Sequence, residues 1–293
     1  MKASMARVCI IIAMILFGTL PLFVRSINLP SAEIALYRAI LAIVLIGPIL
    51  LVSRAKVLFS KIRKSIPILL LSGAAMGFNW ILLFEAYRYT TVSIATLAYY
   101  IAPLIVALLS PFLFREKPTA KQMVCFLFST IGLVLVIGIA PNGIGSNHLF
   151  GIMYGLGAAV LYATVIILNK FVKDVDGLLR TFLQFVAAVI VLLPYVAITS
   201  GFSLGTLSSQ GWISLLIVGI LHSGIAYCLY FSSMKSLPGQ ETALLSYIDP
   251  VVAVLVSVLL LHEPLTILQA IGGILILGFT VLNELPTTRK RKS

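Results

Sequence analysis

Apolar runs of about 20 residues recur along this chain, separated by short polar gaps, and that pattern admits few folds. A helix rising about 1.5 Å per residue needs about 20 such residues to cross a hydrocarbon core about 30 Å thick. On that criterion the sequence predicts helices at roughly 6–24, 31–53, 67–89, 91–114, 119–139, 148–170, 177–199, 211–234, 240–261 and 265–283. The gaps carry turn and charge signals: Asn28-Leu29-Pro30, the basic stretch Arg54 to Lys64, Arg115-Glu116-Lys117-Pro118, Pro141-Asn142-Gly143, Lys173-Asp174-Val175-Asp176-Gly177 and Leu237-Pro238-Gly239. A membrane barrel is excluded, because its strands would alternate apolar and polar residues and these runs do not. Composition agrees: 10% of the 293 residues are charged and the mean hydropathy is +1.12, where a soluble domain carries about 25% charged residues. The fold class expected is all-α integral membrane, with ten transmembrane helices.

The net charge of +12 could suggest nucleic acid, but the basic residues sit in the gaps rather than on one soluble face. With the N-terminus inside, the inner segments hold Lys2 and Arg7, the cations from Arg54 to Lys64, Arg115, Lys117 and Lys121, Lys170, Lys173 and Arg180, Lys235, and Arg289 to Lys292. The outer segments hold only Arg25 and Arg88, and Arg38 lies within a helix. Cytoplasmic loops concentrate lysine and arginine, so both termini are expected in the cytoplasm. The N-terminal run lacks a small-x-small cleavage site and reads as an uncleaved first helix. Cys9, Cys125 and Cys228 lie inside apolar runs without a CxxC or Cys/His cluster, which supports neither a disulfide framework nor a zinc site.

The chain repeats itself at an offset of 147: Tyr100-Ile101-Ala102-Pro103 matches Tyr247-Ile248-Asp249-Pro250, and Phe84, Arg88, Glu116 and Thr119 match Phe231, Lys235, Glu263 and Thr266. Earlier in each half the offset is 146, pairing Pro48 with Pro194 and Arg38 with Gln184. The expected division is a first five-helix repeat over 1–140, a second over 141–284 and a basic cytoplasmic tail over 285–293. An odd number of helices per repeat turns the second half upside down. Inverted repeats are a frequent plan of secondary transporters, whose binding site lies near mid-bilayer between the halves, although duplication in a structural protein would give the same pattern.

These residues resemble the drug/metabolite transporter superfamily, and within it the EamA-type ten-helix permeases. The resemblance rests on Ala86-Tyr87-Arg88-Tyr89-Thr90, Tyr99 to Leu104, Glu116 and Ile131-Gly132-Leu133 in one half, and on Asp249-Pro250-Val251, His262 to Thr266 and Gly272-Gly273 in the other. It covers nearly the whole chain. It implies metabolite transport, commonly export, across a prokaryotic cytoplasmic membrane through a central cavity, and it implies no particular substrate.

Ionisable groups inside hydrocarbon cost about 2.5–3.5 kcal/mol each on insertion scales and therefore need a reason. Asp249 sits in mid-helix before Pro250, whose missing N–H frees a carbonyl near Ser246 that can face a cavity. It would bind a cation or exchange a proton, or else lock helix packing through hydrogen bonds. His222, at similar depth, would form a proton relay with Asp249 or serve as a packing residue. Asn79 lies at a helix midpoint beside Trp80, whose repeat partner is Tyr227; all three could line a cavity or pack in a core. Tyrosines away from the headgroups, among them Tyr99, Tyr100 and Tyr162, need partners or a wet cavity. Adjacent Tyr99 and Tyr100 point to different faces, so at most one is expected in the cavity, with Tyr99 preferred. Arg38 and Glu85 are expected to form an ion pair near the outer side with Glu33 and Arg88, as a gate or a static bridge. Glu116 and Glu263 are expected to cap the helices that follow them.

HExxH, diphosphate-binding aspartate motifs and a GxxxxGK[ST] loop are absent from the sequence, which disfavours an intramembrane enzyme and excludes ATP hydrolysis by this chain. The sequence thus points to a gradient-driven carrier, with a passive channel or lipid scramblase as the rival. The partners expected are a small-molecule substrate, the lipid bilayer and protons as a candidate coupling ion, with no cofactor and no nucleic acid. The cavity is expected between helices 6–24, 67–89, 91–114, 148–170, 211–234 and 240–261.

Overall fold

The computed structural model describes residues 2–52, 59–114, 119–137, 146–172, 175–234, 236–237 and 239–285. Glu116, Pro141-Asn142-Gly143 and the tail from residue 286 onward, for which the sequence gives expectations, lie outside them. The described residues form α1 (Ala3–Val24), α2 (Ser31–Val52), α3 (Phe59–Tyr89), α4 (Val92–Tyr99), α5 (Ala102–Phe114), α6 (Ala120–Ile137), α7 (Ser146–Phe171) and α8 (Gly177–Thr199). They continue as α9 (Ser209–Leu216), α10 (Ala226–Met234), α11 (Gly239–Ser246), α12 (Ile248–Leu255) and α13 (Ile267–Glu284). Wide π-type turns over Ile217–Ile225 join α9 to α10 and extend α12 over Val256–Leu260. Among the described residues, seven helical runs are long and apolar enough to cross a membrane, and three shorter apolar ones, Ala120–Val136, Ile248–Leu260 and Ile267–Asn283, accompany them. Large apolar side chains cover the outside, with Phe112 and Ile198 each 84% exposed. Such a belt suits lipid rather than water.

Two expected helices are broken in the middle. Proline removes the N–H that would bond one turn back, and the chain stops at Tyr99 three residues after Thr96 and resumes at Ala102 beside Pro103; it breaks again at Tyr247, just before Pro250. Tyr100 (φ −74°, ψ 8°) and Tyr247 (φ −75°, ψ −4°) adopt nearly the same backbone, as the repeat motif requires.

The two halves pack on each other in matching ways. The helix α3 lies on α7 as α10 lies on α1, and α3 meets α8 as the wide turn meets α2; α2 with α8, and α6 with α13, pair about the centre. The close approaches locate the one-residue drift of the repeat. A side chain at Gly73 would strike Ala187, and one at Gly219, 146 residues on, would strike Leu41, itself 146 before Ala187. A side chain at Gly77 would meet Leu192, and one at Gly224, 147 residues on from Gly77, would meet Leu45. The second half therefore has one extra residue between Gly219 and Gly224, inside the wide turn, and a π turn is how a helix absorbs a single insertion. Gly73 and Gly77 face α8 of the same chain, so this GxxxG serves internal packing.

Candidate functional site

A cavity of about 330 Å³ lies between the halves, against the broken ends of α4 and α11. Its size is that of small-molecule sites. The six expected helical regions all contribute, and α2 and α8 contribute as well, through Arg38 and through Arg180, Thr181 and Gln184. Of the predicted site residues, Trp80, Tyr99, Tyr162, Tyr227, Ser246, Asp249 and Arg38 line it. Asn79, His222 and Glu85 do not.

The aromatic rings at the cavity fall into two groups. Phe185 bridges the repeat partners Trp80 and Tyr227, with ring centroids 5.4 and 5.3 Å away. Tyr99 stacks on Tyr162 at 5.2 Å and meets Tyr100 edge-on at 5.7 Å. Both Tyr99 and Tyr100 line the cavity, against the expectation that only one would. The helix break between them explains the difference, because side-chain direction no longer follows the 100° step of a continuous helix. At this break the Tyr100 hydroxyl donates to Asp249 Oδ2 at 2.5 Å, joining the two halves across the cavity wall.

Asn79 and His222 lie outside the cavity lining, and each has partners within the bundle. Asn79 Nδ2 donates to the Ala158 carbonyl at 2.6 Å and ties α3 to α7. His222 has Thr19 Oγ1 at 3.1 Å from Nε2 and the Ile217 carbonyl at 3.1 Å from Nδ1, with the Phe23 ring beside it. It makes no hydrogen bond to Asp249, so the relay expected of the pair is not assembled. In apolar surroundings a polar side chain needs a partner rather than water, and a neighbouring hydroxyl or carbonyl suffices.

The Arg38–Glu85 ion pair does not form. Glu85 lies 3.7 Å from Arg88, on its own helix. Arg38, 2% exposed, has its guanidinium carbon 4.4 Å from the Trp80 ring centroid and 5.5 Å from that of Phe84. Its Nε donates to Ser223 Oγ at 2.9 Å, and Ser223 donates to the Val218 carbonyl at 2.8 Å, a five-residue reach that only the wide turn provides. Glu33 instead accepts from the Ser203 N–H at 2.8 Å and the Tyr37 hydroxyl at 3.2 Å.

One end of the bundle is laced by polar contacts between the halves. Glu263 accepts from the Val92 N–H at 2.8 Å, at the first turn of α4, and from the Ser257 hydroxyl, and it pairs with Arg25. Arg25 also donates to the carbonyls of Tyr87 and Thr90, each at 2.7 Å. The expected capping of the following helix by Glu263 is thus replaced: α13 is capped by Thr266 and Gln269 in a reciprocal box, and Glu263 caps α4 from across the interface. A carboxylate at a helix N-terminus is favoured wherever it comes from. At the other end, the lining reaches Asn169, Arg180 and Met234, beside the basic gaps. Sequence reasoning singled out neither Thr96 nor Asn169 of this lining; Gln184 was visible only as the counterpart of Arg38.

This architecture agrees with the comparisons. The profile of the EamA-like transporter family matches residues 4–138 and 149–284, one copy on each half. The chain belongs to that family. It is 30% identical to an uncharacterized transporter, YxxF, of Bacillus subtilis strain 168, over 94% of this chain and 88% of that protein. It is 27% identical to an uncharacterized transporter of Archaeoglobus fulgidus over 92% of each. A solved crystal structure superposes with a TM-score of 0.66 over 97% of both chains at 21% identity, which concerns the fold alone. Family, relatives and apolar helices together make this a multi-pass membrane transporter.

Proposed function

We propose that this EamA-family chain is a secondary-active carrier of a small metabolite, working as an exporter by alternating access in the cytoplasmic membrane. Ten spans, five per inverted repeat with both termini in the cytoplasm, rock about the central cavity. The observation that carries this reading is the cavity itself. It sits where two proline-broken helices, α4–α5 and α11–α12, present their ends to one another, and such breaks are tolerated at membrane depth where they line a cavity. The Arg25–Glu263 network closes the end away from the basic gaps, which supports a resting state facing the cytoplasm and argues against a channel open from side to side. Asp249 is proposed as the proton-coupling group, at the junction of the halves.

The test is counterflow in proteoliposomes. A carrier preloaded with substrate accelerates uptake of labelled substrate, whereas a channel or scramblase does not. Asp249→Asn should abolish flux driven by a pH gradient while counterflow persists; intact pH-driven flux in that variant removes the coupling role. Failure of every compound in a broad panel of metabolites would remove the carrier assignment.

A further inference from the structure

We infer that Arg38 is an anion seat in the cavity, and that the transported metabolite carries a carboxylate, held there against Trp80, on an aromatic or branched apolar body. The inference deepens the carrier reading and rests on it.

A buried guanidinium has five N–H donors and a charge that hydrocarbon cannot solvate. Here Nε is used by Ser223, and among the described residues neither Nη atom has a hydrogen-bond partner or a carboxylate at ion-pair distance. Stacking over Trp80 and Phe84 holds the group in place and offsets part of its desolvation. It leaves the fork of Nη donors unsatisfied on the cavity wall, the geometry that suits a carboxylate. A second polar group lines the cavity: Thr96 is 3% exposed, with the Tyr87 side chain beside its hydroxyl.

The repeat supplies an internal comparison. At the position corresponding to Arg38 the second half carries Gln184, which also lines the cavity. Gln184 is neutral, and its amide is engaged by Asn169 Oδ1 at 2.8 Å and by Ser72 Oγ. The repeat position opposite Arg38 is therefore neutral and satisfied, while the second arginine of the lining, Arg180, lies beside Asn169, with Nη1 3.4 Å from the Asn169 carbonyl and no partner for its Nε among the described residues. The aromatic surfaces of Trp80, Tyr99, Tyr162 and Tyr227 account for the rest of the ligand.

The chain has two tryptophans, Trp80 and Trp212, and Trp212 lies outside the cavity lining. In a Trp212→Phe background, fluorescence of the purified full-length protein reports Trp80 alone. The probes are phenylpropionate, its amide and phenylpropylamine, which share a body and differ in the head. Phenylpropionate should bind at least about tenfold more tightly than either of the others. Arg38→Lys should keep part of that preference and Arg38→Gln should lose it. Because Arg38→Gln can also weaken folding, the head-group preference of the unsubstituted Arg38 protein and the partial retention by Arg38→Lys stand as independent readouts. Equal binding of the three heads, no binding of any, or full preference in Arg38→Gln overturns the anion seat. Counterflow of phenylpropionate in proteoliposomes separates the two proposals. Preference without counterflow, extended to the whole metabolite panel, removes the carrier reading and leaves the seat; counterflow of all three heads alike removes the seat and leaves the carrier.

Discussion

Opening the laced end of the bundle should require breaking the contacts of Glu263, and their worth can be worked from the structure. Its side chain is 9% exposed and that of Arg25 is 30% exposed, so the pair is partly screened. Glu263→Gln keeps an acceptor for the Val92 N–H and the Ser257 hydroxyl and loses the ion pair, a change of about 1 kcal/mol, or about fivefold in population. Glu263→Ala also leaves the Val92 N–H and the Ser257 hydroxyl without their acceptor. Arg25 retains the Tyr87 and Thr90 carbonyls, which keeps the loss to about 2–3 kcal/mol, or roughly 30- to 150-fold. The assay places a cysteine at Thr96, on the cavity side of the network, in a variant lacking Cys9, Cys125 and Cys228, and measures labelling by an impermeant thiol reagent from outside the cell. When reclosing is faster than labelling, the rate tracks the open population, so it should rise about fivefold with Glu263→Gln and by the larger factor with Glu263→Ala. Unchanged labelling in Glu263→Ala, with the protein still folded, would refute the argument that this network holds that end closed.

Two further substitutions test the packing. A methyl group at Gly18 would lie 2.6 Å from both the Asp249 carbonyl oxygen and Val252 Cβ, whereas one at Gly278 meets nothing within 4 Å; Gly18→Ala should cost about 1–3 kcal/mol and impair counterflow, and Gly278→Ala should leave melting and counterflow unchanged. Asn79→Leu removes one buried hydrogen bond, worth about 1 kcal/mol, and should lower the melting temperature by a few degrees with no change in KM; a large rise in KM would put Asn79 in the substrate pathway after all.

The helical segments were legible because an apolar run in a membrane chain has few alternatives, although the two that break beside Pro103 and Pro250 were expected to run unbroken. Side-chain direction was not legible. A lipid-bathed helix is apolar on every face, so hydrophobic periodicity does not say which side meets the cavity. Depth alone therefore grouped Asn79, His222 and Trp80, though only Trp80 lines the site. The same shortfall paired Arg38 with Glu85, whose depths match while their neighbours differ. Glu263 was assigned to the nearest helix in sequence, but the helix start nearest in space belongs to α4. The wide turn left one trace, the four-residue spacing of Gly73 and Gly77 against the five-residue spacing of Gly219 and Gly224, and its meaning emerges only once their contacts are known.

That surplus residue has a thermodynamic consequence. If a carrier of two related halves turns over by letting each adopt the other's shape, its two resting postures are equal in free energy only when the halves are the same. Here the second half carries the inserted residue, and the first has Arg38 where its sister has Gln184 and Arg25 where its sister has Phe171. A difference of about 2.7 kcal/mol between postures would hold the rarer one near 1%. Whatever is carried must then supply, through its own binding or an ion gradient, the work of visiting it, and that imbalance gives a symmetric-looking molecule a preferred direction of rest.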